Sequence, residues 1–177
     1  RLDRVKAAHA LAEEALRRHD VRIDEWYAEN LKRDPGDAEF IAYLRQVQKD
    51  DVTEGYALVL RSALFATAYG SLEHFMTSVC RYIEPKLNGP GLDDLRGEVI
   101  QRAYLFLTKV AGAAVPNSNE WQELLLYGKL RNALVHAQGD LTEGRSLAAI
   151  QNLAGRVRTF ALTENGTGVA LSADFTP

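Results

Sequence analysis

Cysteine, methionine and proline are scarce here: one, one and five in 177 residues. A single cysteine, Cys80, excludes an intramolecular disulfide framework and any zinc site built on several thiolates. So few prolines, with 13 glycines, exclude collagen-like and low-complexity disordered classes. Neither sign of charge dominates. There are 21 Lys and Arg against 24 Asp and Glu, a net charge of −3 and a pI near 5.8. No global basic field exists, so any contact with nucleic acid needs locally concentrated positive charge. Long hydrophobic runs are missing too. The longest uncharged stretch of the apolar middle, Ser62 to Leu72, is far short of the ~20 residues of a membrane helix, so no membrane partner is expected. The opening RLDRVKAAHALAEEALRRHD is charged throughout and lacks the apolar core of a signal peptide. With the lone cysteine, this points to a cytoplasmic setting. There is no Walker loop, no G-x-G-x-x-G, no G-x-S-x-G, no H-E-x-x-H and no E-x-x-H of di-iron bundles.

What remains is an ordinary globular composition, 46% hydrophobic and 25% charged. A chain of this length buries about 70% of the surface its unfolded form exposes, enough to fold without staples. Apolar residues at three- and four-residue spacing predict a long amphipathic helix over 2–33. Asp34-Pro35-Gly36-Asp37 reads as a turn, with Asp37 capping a second helix over 38–49. The polar run 48–55 reads as a kink or short loop. From Tyr56 to Glu84 the chain is nearly all apolar, which predicts a central helix buried on most faces, with Cys80 a packing residue. Further helices are expected over 92–113, 119–137 and 142–163, with Asn117 and Glu120 as a capping box. The tail LTENGTGVALSADF has the pattern of a small hairpin. The expected architecture is an all-α bundle of five to six helices in one domain.

The segment EWQELLLYGKLRNALVHAQG, 120–139, carries the functional signal. At about 100° per residue, Leu126, Leu130, Ala133, Leu134 and Ala137 form a core stripe. On the opposite side lie Trp121, Leu124, Leu125, Gly128, Arg131, Asn132, Val135 and His136. Exposing such a face would leave an unusual apolar patch. It must therefore be covered, by another helix of the chain or by a second protomer. Around a two-fold axis, each Arg131 and each His136 would appear twice in one cleft, a local basic pocket. His136 and Asp140 are four apart, but Gly139 ends the helix between them, so no metal site is expected.

The string Arg131-Asn132-Ala133-Leu134-Val135-His136 has the form R-N-x-x-x-H and resembles the signature of the HEPN superfamily. Its place late in the chain, near a helix end with a helix following, agrees. The segment AYGSLEHFMTSVC resembles the second core helix of several HEPN families. The resemblance covers about 56–163, with the helices of 2–50 added to that core. It implies a helical homodimer joined through the motif helices at Trp121, Leu124, Leu125, Gly128 and Val135. It also implies cofactor-free and metal-free RNA cleavage, as in prokaryotic toxin or phage-defence ribonucleases, with an antitoxin protein as a further partner. On that pattern Arg131, Asn132 and His136 take the catalytic positions and Glu73 a supporting acidic one. Some HEPN toxins carry a modifiable tyrosine two residues after the histidine; here that residue is Gln138, which puts control by that route in doubt. The other expectation is a non-catalytic HEPN-like module that binds RNA, nucleotide or a protein.

Overall fold

The computed structural model describes residues 2–115, 118–136, 147–156, 160–162 and 169–171. The fold is all-α, with six α-helices among those residues. They are α1 (Leu2–Arg33), α2 (Ala38–Asp50), α3 (Ala57–Ile83), α4 (Val99–Leu105), α5 (Asn119–His136) and α6 (Leu147–Arg156). Two short antiparallel strands, β1 (Phe160–Leu162) and β2 (Val169–Leu171), pair Phe160 with Leu171 and Leu162 with Val169. The tail thus forms the small hairpin that its alternation predicts. The expected Asn117 cap and helix stop at Gln138-Gly139 lie outside the described residues.

The first helix runs its full expected length because its apolar residues stay on one stripe. Val5, His9 and Ile23 are buried, and α1 lies along both α2 and α3. Ion pairs fix that alignment. Arg61 donates to both Glu13 oxygens at 2.8 and 2.9 Å, and Arg45 and Lys49 both reach Asp24, at 2.7 and 2.9 Å.

Four local expectations are corrected. Asp37 makes no side-chain cap; Pro35–Asp37 forms a 3-10 turn in which the Asp37 amide donates to the Asp34 carbonyl instead. The polar run before Tyr56 is not a loop, for Asp51–Tyr56 is a π-helical turn that joins α2 to α3 without a break. The helix expected over 92–113 is divided: Leu92–Asp94 is a 3-10 turn, and Gly97 at φ +120° sits where an L side chain is strained. α4 therefore starts at Val99 and closes in a π turn, Phe106–Val110. The helix expected over 142–163 cannot extend that far, because Phe160–Leu162 is a strand.

Helix α3 organises two apolar clusters. Near its start Phe65 packs with Leu130, Leu134, Ile150, Leu153 and Leu171, which ties α5, α6 and β2 together. Near its end Cys80 packs with Leu92, Ala103 and Phe106 of the α4 region. Cys80 is fully buried, as its apolar setting predicts. α3 is buried or half-buried except along one outer face. Tyr56, Val59, Leu60, Phe75 and Tyr82 are exposed, because α1 on one side and α4 and α5 on the other leave an outer face uncovered.

Candidate functional site

Helix α5 shows why its sequence is apolar on opposite sides. The core stripe is in place, with Leu130 fully buried, Leu134 buried, and Leu126 and Ala133 packed against the same cluster. Of the two covers that the second face allowed, the chain's own helices supply one at two positions. Trp121 is half-buried with its ring 4.9 Å from that of Tyr104 in α4. Gly128 is buried against Tyr69 of α3: a β-carbon there would lie 2.5 Å from the Tyr69 hydroxyl oxygen and 3.3 Å from Glu98 Oε2. Leu124 and Leu125 are half-buried, and Val135 stays exposed.

The polar residues of α5 divide into two groups. Arg131 and Asn132 are half-buried, and Arg131 Nη1 donates to Asn132 Oδ1 at 2.8 Å. The Arg131 Nε is buried and has no hydrogen-bond partner among the described residues. His136, one turn onward, is exposed on the last turn of the helix. Among the described residues no hydrogen bond joins His136 to Arg131 or Asn132. The separation follows from five-residue spacing, which turns the two side chains about 140° apart.

Glu73, on α3, is half-buried close to Arg131. Burial raises its carboxyl above the ordinary range; the Arg131 guanidinium pulls it back and the Glu98 carboxylate pushes it further up. The same groups act on Tyr69. Burial, then Glu73 and Glu98, raise its hydroxyl, and Arg131 opposes them. Tyr69 is therefore a neutral donor at neutral pH, and it donates to the Leu124 carbonyl at 3.1 Å.

Within one chain, then, Arg131 sits beside the Glu73 carboxylate. Glu98, beside Gly128 and acting on Glu73, adds a second carboxylate to this side of α5. Sequence reasoning singled out neither Tyr69 nor Glu98. Tyr69 lies four residues before Glu73 on one helix face. Glu98 immediately precedes the apolar start of α4, and its carbonyl accepts the Arg102 amide at 2.9 Å. Those two positions were the available signals.

Among the described residues no group of three or more His, Cys, Asp or Glu is placed to hold a metal ion. No described helix is long and apolar enough to cross a membrane. Beside α5, an open groove of about 450 Å³ is lined by Leu58, Val59, Ala63, Leu134 and Val135. It is apolar, and Val135 brings it next to His136. Compared with family models, with curated proteins and with solved structures, the chain finds no match.

Proposed function

We propose that the chain is a metal-independent endoribonuclease of HEPN type, acting on RNA as a homodimer in the cytoplasm. The supporting observation is the arrangement on α5: an exposed His136 one turn beyond an Arg131 that Asn132 holds at 2.8 Å. RNA carries its own nucleophile. The 2′-hydroxyl gives up its proton as its oxygen bonds to phosphorus. The bond from phosphorus to the 5′ oxygen breaks, and that oxygen takes up a proton. The product is a 2′,3′-cyclic phosphate and a free 5′-hydroxyl. Histidine is the side chain best suited to move protons near neutrality. His136 serves one proton step, and the other falls to its copy in the second protomer or to water. Arg131 stabilises charge on the phosphate by a bidentate contact. Asn132 orients Arg131, and Glu73 holds the guanidinium until substrate arrives. DNA, which lacks the 2′-hydroxyl, is not cut. A toxin or phage-defence role with an antitoxin partner belongs to the same reading.

A specific observation favours the second reading, a non-catalytic module that binds RNA, nucleotide or protein. Arg131 already has Asn132 and the neighbouring Glu73 as partners, so its charge is partly satisfied inside the chain.

One assay separates the two. Purified protein is incubated with labelled RNA, with and without EDTA, and compared with His136→Ala. Cleavage that survives EDTA, yields cyclic phosphate ends and is lost in the variant supports the nuclease. Cleavage abolished by EDTA, or undiminished in His136→Ala, rejects that mechanism. Binding without cleavage at any protein concentration assigns the chain to the second reading.

A further inference from the structure

From Gly55 to Ser78 the outer face of α3 carries no formal charge: none of its exposed residues is Asp, Glu, Lys or Arg. The exposed Arg81, one turn beyond that span in the same arc, is paired with Asp93 at 2.9 Å. The two charged side chains in that span, Arg61 and Glu73, are half-buried toward α1 and α5. In a chain that is 25% charged, a 24-residue helical face without charge is a feature to account for.

Its exposed seam is ordered by size. Tyr56, Leu60, Ala63, Thr67, half-exposed Ser71, His74 and Ser78 are spaced by four and three residues. They fall within an arc of about 80° and run for about 33 Å. The spacing reads the same in both directions from Thr67. An antiparallel copy with its two-fold axis at Thr67 therefore sets Ala63 beside Ser71, Leu60 beside His74 and Tyr56 beside Ser78. Small residues at the centre allow close backbone approach, and each larger apolar residue outside it meets a smaller or polar one. A two-fold interface must be self-complementary in this way.

The area also suffices. Tyr56, Phe75 and Tyr82 are 61%, 61% and 73% exposed. At roughly 200 Å² per aromatic side chain they present about 400 Å². Val59, Leu60, the small seam residues and the adjoining groove with Val135 bring the patch toward the ~800 Å² that each partner of a standard interface contributes. Left open, it would exceed the apolar patch of a typical monomer. A strongly charged partner finds only the Asp93-paired Arg81 at one end of this face, whereas a second copy of the same face needs no complementary charge.

We infer that α3 is a homodimer seam, packed antiparallel against its own copy about Thr67. The inference stands apart from the ribonuclease reading, since it needs neither Arg131 nor His136.

The test uses three forms of the full chain. Thr67 is exposed and, among the described residues, its side chain bonds only to the Ala63 carbonyl of its own helix, so it can be replaced without disturbing the core. Wild type is expected to sediment as a dimer. Thr67→Arg sets two like charges face to face and is expected to weaken the dimer about 100-fold or more with unchanged helicity. Thr67→Cys is expected to form a covalent dimer on mild oxidation, since Cys80 is fully buried, whereas Glu39→Cys, on exposed α2, is not. A wild-type monomer at 100-µM-order concentration (roughly the range in which weak dimers form) overturns the seam. So does a dimer that Thr67→Arg leaves intact and Thr67→Cys fails to lock, which places the contact on another face such as that of α5. RNA cleavage, measured alongside, is scored independently of either result.

Discussion

The Tyr69 hydroxyl fills the space where a side chain at position 128 would begin. It donates to the Leu124 carbonyl at 3.1 Å while lying 2.5 Å from the place a Gly128 β-carbon would take. This contact, between α3 and α5, sets how closely the motif helix approaches the central helix. Tyr69 is only 7% exposed and packs beside Phe65, so it has little room to withdraw.

Gly128→Ala is therefore expected to destabilise the fold by about 1–3 kcal/mol, the usual range for an overpacked core. Tyr69→Phe alone removes one hydrogen bond and is expected to cost about 0.5–1.5 kcal/mol. The double variant should be more stable than the sum of the two losses, because the offending oxygen is gone. Urea unfolding of the four proteins in a double-mutant cycle measures this coupling. Simple additivity would contradict the contact.

Glu73 gives a pH signature. Its carboxyl is raised in the folded chain, so the folded state binds the proton more tightly than the unfolded state does. Stability contributed by the neutral acid is complete below the ordinary glutamate value and declines as pH rises through that value to the raised one. Above the window the folded protein carries an unfavourable buried charge that Arg131 only partly offsets. Glu73→Gln should flatten this part of the stability profile and leave the protein at least as stable at neutral pH. Denaturant midpoints between about pH 4 and 8 test it; a large neutral-pH loss would show that the Arg131 attraction outweighs burial.

The Glu13–Arg61 pair has the opposite sign. The Arg61 hydrogen bonds hold Glu13 below its ordinary value against the effect of burial, with smaller help from His9 and Arg17. Its stabilisation is present above the ordinary value and lost as pH falls through the lowered one. Both side chains are 15% exposed. Glu13→Gln is expected to cost about 2–3 kcal/mol, somewhat less than the ~3–5 kcal/mol for breaking a fully buried pair. Thermal melts of the variant at neutral and acid pH should converge at the acid end.

The motif residues should separate stability from activity. His136 is exposed, so His136→Ala is expected to change stability by less than about 0.5 kcal/mol while lowering RNA cleavage by about 100-fold or more. Arg131→Gln removes a half-buried cation beside Glu73, and both stability and cleavage should fall. Equal melting shifts for the two variants would argue against the separation of Arg131 and His136 on α5.

The helices of this protein were legible because periodicity is a local property. The apolar stripe of α1, the Cys80 environment and the two-sided apolar pattern of α5 all follow from residues three and four apart. Boundaries were less legible where backbone geometry overrides composition. A polar stretch such as Asp51–Tyr56 continues as a π turn, because backbone hydrogen bonds form irrespective of side-chain polarity. Gly97 divided a segment expected to be one continuous helix, because positive φ leaves the helix.

Sequence alone fixed the helical class and the presence of Arg131, Asn132 and His136 on one helix, since spacing sets angle along a single helical axis. Tertiary packing alone decided what faces them. Only the way α3 and α4 pack beside α5 brings Glu73 to Arg131, sets Tyr69 and Glu98 on Gly128 and leaves one side of α3 bare. Those neighbours are 30 to 59 positions away along the chain, and no local pattern encodes which distant side chain will meet a given face.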